Sequence, residues 1–144
     1  MSWEPKTEMF TQAKGLCSYQ PSHQGKVGNR ARTFVSKGWG WEDWIWNNES
    51  YCGKLLFVKQ GRMCSWHYHN LKDETFYLQS GELEIITGWS DDLSSSMIEP
   101  LRPGEAYHIP RGLRHRFRAV QDSYMFEFST QHFDSDSIRV MPGD

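Results

Sequence analysis

From about residue 37 onward, apolar and polar positions alternate with a period of two, in short runs broken by turn residues. The runs predict strands at Trp44–Trp46, Lys54–Lys59, Cys64–His69, Glu74–Leu78, Leu83–Thr87, Ser96–Glu99, Ala106–Ile109, His115–Ala119 and Tyr124–Ser129. Turns are expected at Gln60-Gly61, Ser80-Gly81, Arg102-Pro103-Gly104 and Pro110-Arg111-Gly112. The run Ser94-Ser95-Ser96 behind Asp91-Asp92 suits a solvated hairpin tip. No segment keeps a helical period, and there is no internal repeat. Many short strands at near-regular spacing predict an all-β fold, a closed β-barrel or jelly roll. Residues 1–36 differ: they are polar and irregular, with a loop at Gln20-Pro21-Ser22-His23-Gln24-Gly25. They are expected to form an N-terminal arm with a strand or two, wrapped on the barrel or exchanged with a partner. The barrel domain is then 37–144.

Composition strengthens the β reading. Seven Trp, six Tyr and eight Phe favour strands and bring large buried areas, while twelve Gly and six Pro supply turns. At 144 residues the chain fits one domain with one core. A net charge of −2 and a pI near 6.3 provide no basic field for nucleic acid or an anionic membrane. No apolar run approaches the ~18 residues of a membrane span. The start, Met1-Ser2-Trp3-Glu4-Pro5-Lys6, lacks the pattern of a secretory signal, so a cytoplasmic location is expected. Cys17, Cys52 and Cys64 form no CxxC pair and are expected as reduced thiols. Cys64 lies close before His67, which leaves a ligand or redox role open.

The chemistry is concentrated in two stretches. On a strand, side chains two apart share a face, so His67 and His69 point the same way. After a short turn, Glu74 opens the neighbouring strand on that face, followed by Phe76 and Leu78. In the second stretch His115 alternates with Phe117 and Ala119, while Arg114, Arg116 and Arg118 occupy the opposite face and are expected in water. His115 therefore faces inward. An HxH pair alone is a weak signal; with Glu74 and His115 it becomes a metal site. Three imidazoles and a carboxylate suit one divalent ion, Zn, Mn, Fe or Ni, with positions left open for water or substrate.

These residues resemble a known pattern. Gly61-x5-His67-x-His69-x4-Glu74-x6-Gly81 resembles the first cupin motif, and Gly104-x5-Pro110-x-Gly112-x2-His115 the second, with Ala119 where Asn is usual. The resemblance implies a six-strand-core barrel, a metal in its mouth and commonly a homodimer. Within cupins, the chain is most similar to the C-terminal domain of type II mannose-6-phosphate isomerases, over roughly 37–140. The likeness is carried by Lys37-Gly38-Trp39-Gly40-Trp41-Glu42, Ile109-Pro110-Arg111-Gly112-Leu113-Arg114-His115-Arg116, Glu127-Phe128-Ser129-Thr130 and Asp134-Ser135-Asp136-Ser137-Ile138-Arg139. The chain departs from that pattern at His67, where Gln is usual, and around Glu74, where Lys72 and Thr75-Phe76 replace Arg and His-Trp.

If that activity holds, the ion would bind substrate oxygens during proton transfer between adjacent carbons. Lys54 and Glu127 are then the candidate bases, with the choice open, and Lys72 and Arg111 are candidate cations for a sugar phosphate. The cluster Trp39, Trp41, Trp44 and Trp46 either stacks on sugar rings or lines the pocket entrance, or else caps the barrel or forms a subunit contact. His23, His108 and His132 fit no motif and are expected as ordinary surface or hydrogen-bonded residues. Three functions follow: a metal-dependent isomerase or epimerase of small sugars or sugar phosphates, an iron dioxygenase, or a carbohydrate-binding module without turnover.

Overall fold

A computed structural model describes residues 32–144. The expected arm, with Cys17 and His23, lies almost wholly outside those residues. Within them are eleven strands: β1 (Thr33–Lys37), β2 (Gly40–Asn47), β3 (Cys52–Val58), β4 (Trp66–Tyr68), β5 (Glu74–Ser80), β6 (Leu83–Gly88), β7 (Met97–Leu101), β8 (Ala106–Ile109), β9 (Arg114–Ala119), β10 (Ser123–Ser129) and β11 (Ile138–Met141). Every expected strand is present, with ends shifted by a few residues. β11 was not anticipated, and β1 begins ahead of the boundary expected at residue 37.

The strands form two antiparallel sheets, one ordered β1-β2-β3-β10-β5-β8 and the other β11-β4-β9-β6-β7. Their hydrogen bonding does not run continuously around the molecule, so the fold is a jelly roll of two facing sheets, not a hydrogen-bonded closed barrel. β4 is only three residues long, and its pairing with β9 is the single couple His67↔His115. That short ladder sets two imidazoles side by side on neighbouring strands.

The inward faces share one gradient. β3 presents Lys54, Leu56 and Val58; β5 presents Glu74, Phe76 and Leu78; β9 presents His115, Phe117 and Ala119; β10 runs from Glu127 to Met125 and Ser123. The polar residue stands at the same end of each strand, because antiparallel registers place Glu127 opposite both Lys54 and Phe76. The apolar remainder, with Leu83, Ile85 and Ile109, is the core. Burial of these side chains contributes roughly 1.5–3 kcal/mol each.

One expectation is corrected on the outer faces. Arg116 is not in water: only 7% exposed, it donates from Nε to the Cys64 carbonyl at 2.9 Å and from Nη2 to the Pro142 carbonyl at 2.9 Å. The segment that follows β11 covers it, a long-range contact invisible to local alternation. Arg118 pairs with Glu84 and remains accessible. The tryptophans do not share one environment. Trp39 is buried, edge-on to Phe117 at 5.0 Å, whereas Trp41 packs with Phe57 and Tyr124 on the outer face. A register shift between Trp44 and Trp46 sends the first inward and the second outward.

Two motif glycines separate conformational from steric need. Gly61 (φ 78°) and Gly81 (φ 92°) are both left-handed, yet a Cβ at Gly81 would lie 2.3 Å from Ser123 Oγ and 2.4 Å from the Asp122 carbonyl oxygen, while Gly61 faces open space. Gly61→Ala is therefore expected to cost about 1 kcal/mol, and Gly81→Ala about 3 kcal/mol. Urea unfolding checks this as a larger drop in midpoint for Gly81→Ala at unchanged slope.

Candidate metal centre and its cavity

His67 and His69 flank Tyr68 at the end of β4, and His115 lies opposite His67 on β9. Each ring is anchored from behind. Nδ1 of His67 donates to the Ser65 carbonyl at 2.8 Å, that of His69 to the Asp136 carbonyl at 2.9 Å, and that of His115 to the Leu113 carbonyl at 2.9 Å. A carbonyl only accepts, so each Nδ1 carries the hydrogen and each Nε2 is left with a lone pair. The three ligand nitrogens lie within 4.8 Å of one another. Burial, followed by the neighbouring His115 and His69, pushes the His67 imidazole well below its ordinary pKa and keeps it neutral.

Glu74 completes the convergence. Its Oε1 is 2.7 Å from His115 Nε2 and 3.4 Å from His69 Nε2. These three atoms are buried and have no hydrogen-bond partner among the described residues. Lone pairs turned on one another in a dry site are costly unless a cation lies among them. Donors about 2.1 Å from one ion and at right angles stand roughly 3 Å apart, which brackets the spacing found here. The residues fit a divalent ion, and the three imidazoles could hold one.

Behind the ligands runs a row of buried charges. Glu74 Oε2 meets Lys72 Nζ at 2.6 Å, and the same ammonium donates to Glu127 Oε1 at 2.8 Å. Burial works against Lys72, but Glu127 and Glu74 outweigh it and hold its pKa above the ordinary lysine value. Burial likewise opposes ionisation of Glu74 and Glu127. Lys72 nevertheless holds the first carboxyl well below its usual range, and Lys54 and Lys72 hold the second below it. Lys54, 2% exposed, sits 3.6 Å from Glu127 Oε1 and 3.5 Å from Glu42 Oε2.

These groups line a cavity of about 500 Å³. All four expected ligands line it, together with Lys54, Glu127 and Lys72. Lys72 is therefore an interior ion-pair partner rather than a solvated rim charge. Arg111 is not brought to the cavity: it is exposed and donates from Nε to the Leu71 carbonyl at 2.7 Å. Cys64 lines the wall as a thiol, pushed up to about 12 by burial, and its Sγ accepts the Phe117 amide. It is not among the described residues whose ligand atoms converge on one another. Cys52 is also free. His108 is on the surface against Asp73, as expected.

Three residues of the site escaped sequence reasoning. His132, expected as an ordinary surface or hydrogen-bonded residue, is hydrogen-bonded but lines the cavity, with Nδ1 3.2 Å from Lys54 Nζ and Nε2 3.1 Å from Asp134. Burial, then Lys54 and Lys72, lowers its pKa. Glu42 accepts the Trp44 indole N–H at 2.6 Å and faces Lys54. Asp136 is the clamp of the site. Its carboxylate accepts the amides of Asn70, Leu71 and Lys72 at 2.9–3.1 Å, fixing the turn between His69 and Glu74, while its carbonyl holds His69. A capping-type Asp before a strand carries no spacing signal, so only the fold identifies it.

The cupin-domain profile matches residues 54–129, a stretch that begins at Lys54 and contains His67, His69, Glu74, His115 and Glu127. The chain belongs to the cupin family. It is 30% identical over 117 residues to D-lyxose ketol-isomerase of Thermofilum sp. (strain ex4484_79), covering 67% of this chain and 65% of that protein. The curated relatives are longer, the matches spanning 44%, 65% and 40% of their lengths. Among solved cupin-like structures, capsular polysaccharide assembling protein CapF of Staphylococcus aureus superposes with a TM-score of 0.68 at 17% identity, over 79% of this chain and 33% of that one. Oxalate decarboxylase of Bacillus subtilis, described with Mn(II) centres, gives 0.65 at 15% identity over 96% and 40%.

Elemental analysis of protein purified without chelators is expected to find one divalent transition metal per chain, lost in His69→Ala and in Glu74→Ala. Asp136→Ala should retain the site but weaken metal affinity by about 10–100-fold, read by competition with a chromogenic chelator.

Proposed function

We propose that this cupin is a metal-dependent aldose–ketose isomerase acting on a small sugar, with His67, His69, Glu74 and His115 as its metal ligands. The observation that carries the reading is the placement of the cross-strand pair Lys54–Glu127 in the same cavity as the converging imidazoles and Glu74. When bound, the ion supplies Lewis-acid polarisation of the substrate carbonyl and hydroxyl oxygens.

The chain's own residues do the rest. Glu127, ionised between two ammoniums, accepts the proton from the carbon next to the carbonyl and returns it to the neighbouring carbon. Lys54 and Lys72 flank that carboxylate and favour negative charge on the enediol oxygens. A hydroxyl that draws either ammonium away from Glu127 raises the carboxylate's basicity as substrate binds. The two candidate bases of the sequence reading thus become one unit, acid and base in contact. Leu56, Phe76 and Phe117 line the apolar wall and keep bulk water from the intermediate.

The 30% identity to a ketol-isomerase supports isomerase over oxygenase chemistry. Likeness to the mannose-6-phosphate isomerase cupin rests on the segments 37–42, 109–116 and 134–139. The oxalate decarboxylase fold neighbour supports manganese as the first ion to test.

The test is an anaerobic assay over pentoses, hexoses and their phosphates with Mn, Zn, Fe and Ni, following solvent deuterium into the substrate by NMR. Exchange at the carbon next to the carbonyl is expected. Glu127→Gln should lower the rate by about 10²–10⁴-fold at unchanged metal content. No exchange with any sugar, together with oxygen uptake on another substrate, would favour a dioxygenase instead.

A further inference from the structure

The cavity charges bear on the substrate's own charge. From the metal ligand outward the row reads Glu74, Lys72, Glu127, Lys54, Glu42 and Lys37, each within 3.6 Å of the next. Every ammonium lining the cavity thus has a carboxylate partner among the described residues. The remaining lining guanidinium, Arg139 on β11, is exposed at the rim. Arg111, the cation expected for a phosphate, is turned away onto the Leu71 carbonyl.

Resting on the isomerase reading, we propose that the cavity takes an uncharged polyhydroxy aldehyde or ketone and selects against its phosphate ester. A sugar hydroxyl donates one hydrogen bond and accepts others. A row of alternating carboxylates and ammoniums offers each hydroxyl one partner of either kind, and neighbouring hydroxyls along a sugar repeat that demand. A phosphate dianion only accepts. Beside each ammonium here it meets a carboxylate, and to claim the ammonium it must strand that carboxylate, buried and unpaired. The row is therefore matched to neutral diols and opposed to a second anion.

The partners of Lys54 give the selection a handle. Glu42 is 9% exposed and stands between Lys54 and Lys37, at 3.5 Å from each. Glu42→Gln keeps an acceptor for the Trp44 indole but removes the charge that masks both ammoniums.

The experiment uses full-length manganese-loaded protein and sugar alcohols, which cannot isomerise, so binding is read apart from turnover. Calorimetric titration with pentitols and hexitols is expected to show binding at least tenfold tighter than with their phosphate esters. In Glu42→Gln the preference should shrink severalfold, with phosphate-ester affinity rising. Tighter binding of the phosphate esters by the unaltered protein would overturn the proposal, as would no binding of any polyol. If Arg139→Ala abolished that tighter binding, the rim guanidinium would be identified as the phosphate anchor. Affinities unchanged in Glu42→Gln would overturn the charge-masking basis. Preferential binding of neutral polyols without deuterium exchange into any sugar would overturn the isomerase reading while supporting the neutral site.

Discussion

Four charged side chains, Lys54, Lys72, Glu74 and Glu127, are almost wholly removed from water at one end of the molecule, and each is tolerated only because the others are there. Removing one partner from such a group leaves an uncompensated buried charge, which costs about 3–5 kcal/mol. That requirement fixes register. Lys54 and Glu127 are directly opposed across β3 and β10, and slipping either strand by one residue would turn its charge onto the aromatic outer face. Glu74 inherits its orientation from the same set, since one carboxylate oxygen is held by Lys72 while the other turns toward the imidazoles. Packing below and chemistry above are thus set by one pairing condition.

Much of this was legible in local sequence. Alternation along single strands placed His67, His69, Glu74 and His115 on inward faces, and glycine spacing marked the turns between them. Where facing was uncertain, as for Lys54 and Glu127, the missing information was register between strands distant in sequence. Lys72 shows why: it occupies a turn, where a lysine ordinarily meets water, and only the fold brings Glu127 against it. His132 carries no motif because its partners, Lys54 and the Asp134 beside it, meet only once β3 and the segment after β10 come together. Arg116 was misplaced for the same reason, its cover arriving from residue 142.

The cupin scaffold separates two tasks. Apolar residues on facing sheets give a rigid vessel, and the polar ends of the same strands give the site, so the site can vary without disturbing the core. The departures from the mannose-6-phosphate isomerase pattern, at His67 and around Glu74, fall at those polar ends. Function is therefore carried by a handful of positions on a fold shared with proteins of other chemistry.

The clamp made by Asp136 joins the candidate metal centre to the chain that follows β10. One residue grips the turn between His69 and Glu74 with its side chain and the His69 ring with its backbone, and β11 then pairs with β4, the strand that carries His67. If the centre takes an ion, its occupancy and the docking of residues 134–144 are coupled equilibria. Whatever raises the free concentration of the ion holds that segment down by RT ln(1 + [L]/Kd), and whatever pries the segment loose loosens the ion by the same factor. Starved of metal, the molecule would first open along β11, exposing Arg116 and the cavity wall while the two-sheet core stays folded.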